Sequence, residues 1–501
     1  MLIRGTIIRQ YCFLSAANNG VRVRFAPSPT GSLHLGSLRT ALYNYLFAKA
    51  NKGKFILRIE DTDRERCKPE YPEEYDRILK RYGFSCDESP FIGGPYGPYF
   101  QSQRRNLYLE EAKKLMDSGM AYRCFCSPER LEMVRKDALR RGAIAMYDNH
   151  CRNLTYTEVE DKLKKGLPHV IRFKLDLDDV VFYDQTFGEI SHQISEGDFI
   201  IIKSDSYPTY HMANVVDDRA MCISHVIRGM EWISSTAKHL KLYKAFGWSP
   251  PEWIHLPLIL KTNNKKLSKR DESAFVKYYD EKKGYLPVAV LNFLIRNGSG
   301  IKDFDSDHLY SLEEMIENFS VESIGKRNLL MDNTVLNKYG SLAFRNVGVK
   351  EILLPELQKY LCKSQMDTSF DLIHDESYIE KIINFLRLNE ESFACFSQLT
   401  DGDFKFFFSI PQSCERILQN FSTNLVSMIL SDLNELKDLN LMELKKIADK
   451  YGLTHSKIMH LMRLTLIDNQ SGPPIKELFD FFGNELCHER IKKMISLIKN
   501  V

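Results

Sequence analysis

A doubly wound parallel α/β sheet, broken by an insertion and followed by an all-helical C-terminal third, is the fold class this sequence predicts. Three observations carry the expectation. A strand–loop–helix–strand pattern opens at 21–59 and is half of a nucleotide-binding unit. Alternating strand and helix patterns return at about 199–246, after a cysteine-bearing stretch. Beyond about 340, apolar residues recur at helical spacing alone.

Residues 21–26 alternate apolar and charged side chains and read as a strand. Pro27, Pro29 and Gly31 then force a loop. A helix is expected from about Gly36, with Leu38, Leu42, Tyr45 and Leu46 on one face and Gly53 as its stop. The second strand, 54–59, runs into the acidic turn Glu60-Asp61-Thr62-Asp63. Residues 87–98, rich in Gly and Pro, mark an exposed loop or boundary. Helical character resumes from Arg104 and leads to the cysteines. A strand at 199–203, the stretch 207–219, a strand at 222–227 and a helix at 235–246 look like the second half of the sheet. That makes about 110–205 an insertion. A strand at 254–260 precedes a polar loop, and the helical third is read as 378–386, 418–430, 441–450, 456–466 and 490–498.

A chain of 501 residues has room for three or four domains of about 100–200 residues each. Its 69 basic and 66 acidic residues leave a net charge of +3, which argues against a generally basic nucleic-acid binder. No apolar run approaches the roughly 20 residues of a membrane span, so no membrane partner is expected. Eleven cysteines over this length read as free thiols in a reducing compartment, some of them open to a metal. The first twenty residues carry Arg4 and Arg9 among Leu2, Ile3, Ile7 and Ile8, and no acid precedes Glu60. This is the composition of an organelle-targeting presequence, and the break at Arg9-Gln10 speaks against a secretory signal.

Three segments carry chemistry. The loop 27–36 joins a strand's carboxyl end to a helix's amino end, where α/β sheets bind ligands and free N–H groups suit phosphate. His34 stands ready to donate to a polyphosphate, and Gly36 allows close backbone approach. The Gly-Lys-Ser/Thr of a Walker loop is absent. The second segment, Lys265-Lys266-Leu267-Ser268-Lys269-Arg270, puts four cations in six residues on a loop able to close over a triphosphate. Taken singly, a surface histidine and a solvated basic loop are the plainer readings. The third segment pairs Cys124 and Cys126 with Cys151, three corners of a tetrahedral zinc site, with Tyr147 or His150 as the fourth.

Five stretches, RFAPSPTGSLHLGSLRTALYNYLFA, RIEDTDRER, SDSYPTYHMANVVDD, VIRGMEW and KLSKRDES, occur in this order. Together they resemble glutamyl-tRNA synthetases of the organellar and bacterial type, which are class I aminoacyl-tRNA synthetases with a Rossmann-type catalytic domain. The resemblance is dense over about 21–300. It implies that glutamate attacks the α-phosphate of ATP, releasing pyrophosphate, and that the glutamyl group then passes to the 3'-terminal adenosine of tRNA(Glu). On that resemblance His34, Lys266, Ser268 and Lys269 are catalytic, and His34, Gly36 and Lys269 contact ATP, which brings Mg2+. Glutamate is expected to meet Arg24, Ala26, Ser28, Glu60, Tyr210, Asn214 and Arg228. Arg228 is the informative one, because a buried guanidinium without an anion is expensive and glutamine offers none. Its structural alternative is an ion pair with Glu231. Ser37 stands where the family's signature has a second histidine.

The resemblance also implies domains: 1–20 a presequence, 21–109 and 206–250 the catalytic halves, and 110–205 an inserted α+β domain for the tRNA acceptor end. The segment 251–335 would contact the stem and carry the KLSKR loop, and 336–501 would bind the anticodon. Zinc at Cys124, Cys126, Tyr147 and Cys151 matches some bacterial members, whereas others lack the cysteines. A monomer in the mitochondrial matrix is expected, with plastid or cytoplasm as alternatives. The junction motif is degraded at 323–338, which leaves two tRNA readings open: strict charging, or charging of both tRNA(Glu) and tRNA(Gln). A catalytically inactive tRNA-binding paralogue is the remaining alternative.

Overall fold

The structure, a computed structural model, describes residues 20–194, 196–261, 263, 265, 271–296, 300–364 and 372–500. The presequence expected at 1–20, except Gly20, lies outside the described residues, as do Lys266, Ser268 and Lys269. The chain divides into two compact units. One comprises the described chain up to Lys277 with Leu291–Asp332, and the other Tyr278–Val290 with the chain from Asn333.

In the first unit, β1 (Arg22–Phe25) is followed by α1 (Leu35–Ala50) and β2 (Lys54–Leu57). β1 and β2 pair in parallel from Arg22↔Lys54 to Phe25↔Leu57. α1 is apolar almost all round and buries Leu38, Leu42, Tyr45 and Leu46 together with Leu35 and Tyr43. Each such side chain contributes about 1.5–3 kcal/mol by leaving water, so this helix cannot sit on the surface. The second strand stops at Leu57, two residues earlier than its pattern suggests. Arg58 N still donates to Phe25 O of β1, and at Ile59 the backbone changes partner, its N–H donating to Tyr99 O.

Next come α2 (Arg105–Asp117), β3 (Ala121–Cys124), α3 (Pro128–Arg140), β4 (Val170–Phe173), β5 (Val180–Asp184), β6 (Gly188–His192) and β7 (Ile200–Ile202). β3, β4 and β7 form their own antiparallel sheet. The hairpin β5–β6 does not stay with it. The unit continues through α4 (Tyr210–Ala220), β8 (His225–Gly229), α5 (Ile233–Phe246) and β9 (Glu252–Leu256). β5 lies parallel to β9 at Asp184↔Trp253, so the stretch read as an insertion extends the main sheet to β6-β5-β9-β8. β8 in turn meets β1 through Ser224, whose N–H donates to Arg22 O and whose hydroxyl accepts from Arg22 N. The strand expected over 254–260 is split at Pro257, which cannot donate to a ladder, and Ile259–Leu260 pairs instead with Leu329–Leu330.

The second unit is helical around a phenylalanine cluster. Phe385, Phe407 and Phe481 pack edge to face with centroids 4.8–5.5 Å apart. The helix read over 418–430 is two, Glu415–Leu418 and Thr423–Glu435, parted by extended backbone at Ser422. The last one reaches back from the expected 490–498 to Ile475, with a break at Gly483, whose φ of 68° suits only glycine well. Arg490, within this helix, is buried. Its guanidinium donates to the carbonyls of Ser409, Leu466 and Phe406 and lies 4.1 Å over Phe482, and burial pushes it down to about 10. No helix among the described residues is long and apolar enough to cross a membrane.

Candidate active site

The carboxyl ends of β1, β2, β8 and β9 and the amino ends of α1 and α4 converge on a cavity of about 480 Å³. This is where an α/β sheet leaves backbone groups and side chains free to meet a ligand. All seven residues expected to meet glutamate line it: Arg24, Ala26, Ser28, Glu60, Tyr210, Asn214 and Arg228. His34, Gly36 and Ser37 line it too.

His34 is the N-cap of α1. Its backbone is extended, and its Nδ1 accepts from Gly36 N at 3.1 Å. A neutral ring held this way carries its proton on Nε2. A Cβ on Gly36 would stand 3.3 Å from that Nδ1, so the cap itself favours glycine there.

A buried ion cluster sets the cavity's floor. Asp218, on α4, accepts from Arg24 Nε at 3.0 Å and Nη2 at 3.2 Å, and from Arg58 Nη1 at 2.7 Å. Arg58 Nη2 also donates to Glu60 Oε1 at 3.2 Å, which accepts in addition from Asn214 at the same distance. Burial alone would push Asp218 up, but the two guanidiniums outweigh it and hold the carboxyl below its usual range. Glu60 moves the other way: burial dominates, against Arg58 and Arg24, and raises it. A cationic ligand beside Glu60 would relieve that cost.

Arg228 is 6% exposed and has no carboxylate partner among the described residues. The alternative of an ion pair with Glu231 is not what forms, since the Glu231 carboxylate folds back over Gly229. Instead Arg228 donates to His255 Nε2 (3.2 Å), the Tyr210 hydroxyl (2.9 Å), Trp232 O (3.2 Å) and Thr236 Oγ1 (2.8 Å). Burial lowers its pKa, the direction expected of a cation waiting for an anion.

Arg58, Asp218, Asp184 and His255 were not singled out from the sequence. The doublet Asp217-Asp218 inside the apolar run of α4 was the available signal for one of them. Arg58, at the end of the apolar strand 55–57, was the signal for another.

Away from the cavity, at the end of β3, the sulfurs of Cys124, Cys126 and Cys151 lie within 4.8 Å of one another. The Tyr147 hydroxyl is 3.2 Å from Cys124 Sγ and 3.7 Å from Cys126 Sγ. Tetrahedral zinc with bonds of about 2.3 Å sets its sulfurs roughly 3.8 Å apart, so this donor set fits one ion. His150 is not gathered with the thiols.

The parallel sheet, its histidine-capped helix and the cavity where they meet are those of a class I aminoacyl-tRNA synthetase. The family model for the catalytic domain of class I tRNA synthetases (E and Q) matches residues 20–338, and an anticodon-binding-domain model matches 353–495. The glutamate–tRNA ligase of Clostridium tetani is 38% identical over 96% of this chain and 99% of its own. That of Clostridium novyi is 45% identical over 70% of this chain and 71% of its own. The crystal structure of a glutamate tRNA ligase from Elizabethkingia meningosepticum in complex with its amino acid aligns with a TM-score of 0.77 at 35% identity, covering 95% of this chain and 99% of that one. The chain belongs to the glutamate–tRNA ligase family.

The ion cluster generates a stability prediction. Asp218→Ala leaves two buried guanidiniums without their shared anion, so it should cost about 3–5 kcal/mol in urea unfolding of the first unit. A loss below about 1 kcal/mol would show that the cluster does not hold β1, β2 and α4 together.

Proposed function

We propose that the cavity binds glutamate beside ATP, forms glutamyl-adenylate with release of pyrophosphate, and transfers the glutamyl group to the 3'-terminal adenosine of tRNA(Glu). The observation that carries this reading is Arg228, a cation in the cavity wall with hydrogen-bond partners but no anion among the described residues. The side-chain carboxylate of glutamate would supply it, with the Tyr210 hydroxyl alongside. Glu60 and Asn214 would take the ammonium group, and Arg24 the α-carboxylate near Ala26 and Ser28. His34 and Gly36, at the amino end of α1, suit the phosphates of ATP. Lys266, Ser268 and Lys269 enter on the resemblance alone, and Mg2+ would arrive on the nucleotide.

The attacking carboxylate is already a nucleophile at neutral pH, so positioning and charge must supply most of the rate. ATP–pyrophosphate exchange tests the whole reading. With tRNA(Glu) present, exchange should follow glutamate and not glutamine, and Arg228→Ala should erode that preference by about 30-fold or more, the equivalent of losing a buried charge partner. Equal support by tRNA(Gln) would favour the relaxed enzyme. Exchange with neither amino acid, from folded protein, would favour the inactive paralogue.

The thiols and Tyr147 support a zinc site that would fix the tip of the insertion. Purified protein should then contain one zinc per chain, lost in Cys126→Ser; metal-free protein with three titratable thiols there would reject it.

The basic, acid-free start supports a role in organellar translation in the mitochondrial matrix, and a monomer is the state proposed there. Residues 1–20 fused to a fluorescent reporter should carry it into mitochondria, and diffuse cytosolic signal would overturn this.

A further inference from the structure

We infer that Asp184 and His255 are positioning residues that aim Arg228 at the side-chain carboxylate of glutamate, a role that rests on the reading of Arg228 given above. Three neighbouring strands deliver the three side chains in a row. β8 and β9 pair with Arg228↔His255 in register, and β5 meets β9 at Asp184↔Trp253.

Asp184 is fully buried, and its oxygens are occupied. Oδ1 accepts from Thr186 N at 3.0 Å and Phe187 N at 2.9 Å. Oδ2 accepts from His255 N at 3.1 Å and lies 2.6 Å from His255 Nδ1. A carboxylate only accepts, so Nδ1 carries the proton. In a neutral ring the lone pair is then on Nε2, which takes the Arg228 Nε–H at 3.2 Å. Burial and the adjacent Arg228 keep the ring neutral, against the pull of Asp184.

The inventory of Arg228 closes the argument. A guanidinium has five N–H donors. One goes to His255, one to Tyr210, and two from Nη2 to Trp232 O and Thr236 Oγ1, which leaves one on Nη1 for the cavity. A carboxylate in direct contact with Arg228 Nε would neutralise the guanidinium before any substrate arrived. With an imidazole between them, Asp184 offsets only part of the buried charge and leaves the cation at Nη1 in want of an anion.

Asp184→Asn tests this by reversing the ring. The two backbone donors at Oδ1 hold the amide oxygen there, so the NH2 faces Nδ1 and drives the ring proton to Nε2, against Arg228 Nε–H. The KM for glutamate should rise roughly 10-fold or more and the preference over glutamine should fall by a similar factor, with the KM for ATP changed less than about 3-fold. His255→Leu should do the same, and His255→Gln, whose oxygen can accept from Nε, should recover most of the loss. If both Asp184→Asn and His255→Leu keep wild-type selectivity while Arg228→Ala loses it, this inference fails and the reading of Arg228 stands. If Arg228→Ala also keeps it, both fail. Should Asp184→Asn and His255→Leu not fold, 15N-histidine spectra of the wild type decide. His255, assigned by its loss in His255→Gln, should be protonated at Nδ1 only, and an Nε2-protonated or charged ring overturns the inference.

Discussion

The carboxylate of Asp218, 1% exposed on α4, accepts from Arg24 on β1 and from Arg58 just beyond β2, and the placement of Arg24 and Glu60 in the cavity wall hangs on it. Bringing three charges out of water costs several kcal/mol each, recovered only where geometry is good and the remaining donors are met. Well-packed apolar residues would serve stability as well or better. What they would not do is hold Arg58 so that its second nitrogen reaches Glu60, or fix α4 so that Asn214 meets the same oxygen. The cluster converts the cost of burying charge into the placement of one carboxylate at the cavity wall.

That dependence explains why some of the site was legible in the sequence and some was not. The loop 27–36 is local: proline, glycine and a capping histidine act on their own backbone, and their order in the chain is their order in space. The partners inside the cluster are 160 residues apart for Arg58 and Asp218, and 194 for Arg24 and Asp218. Asp184 and His255 stand 71 apart and meet only because β5 joins β9, a pairing hidden by the expectation that everything from 110 to 205 folds separately. Apolar spacing identified α1 and the helix Leu441–Lys450 because the residues each buries recur at helical intervals within its own span. It could not see Pro257 ending one strand or Gly483 bending the last helix, because single-residue breaks do not change the average pattern.

The charge balance of the cavity wall then bears on which amino acid it suits. Arg24, Arg39 and Arg228 line it against Glu60 and Glu231, with the Arg58–Asp218 pair beneath, and Asp184 reaches Arg228 only across the ring of His255. A zwitterion with a neutral side chain adds no net charge and would leave Arg228 buried, dehydrated and facing an amide. On the proposed reading, glutamate would add one negative charge on the arm that reaches it. Part of the cost of desolvating Arg228 is met when the protein folds, through four hydrogen bonds and the carboxylate one imidazole away. The remainder can be offset only by a ligand that brings an anion. Selectivity built this way is a penalty on the wrong amino acid more than an added attraction for the right one, since the unmet cost stays with the protein whenever glutamine sits there.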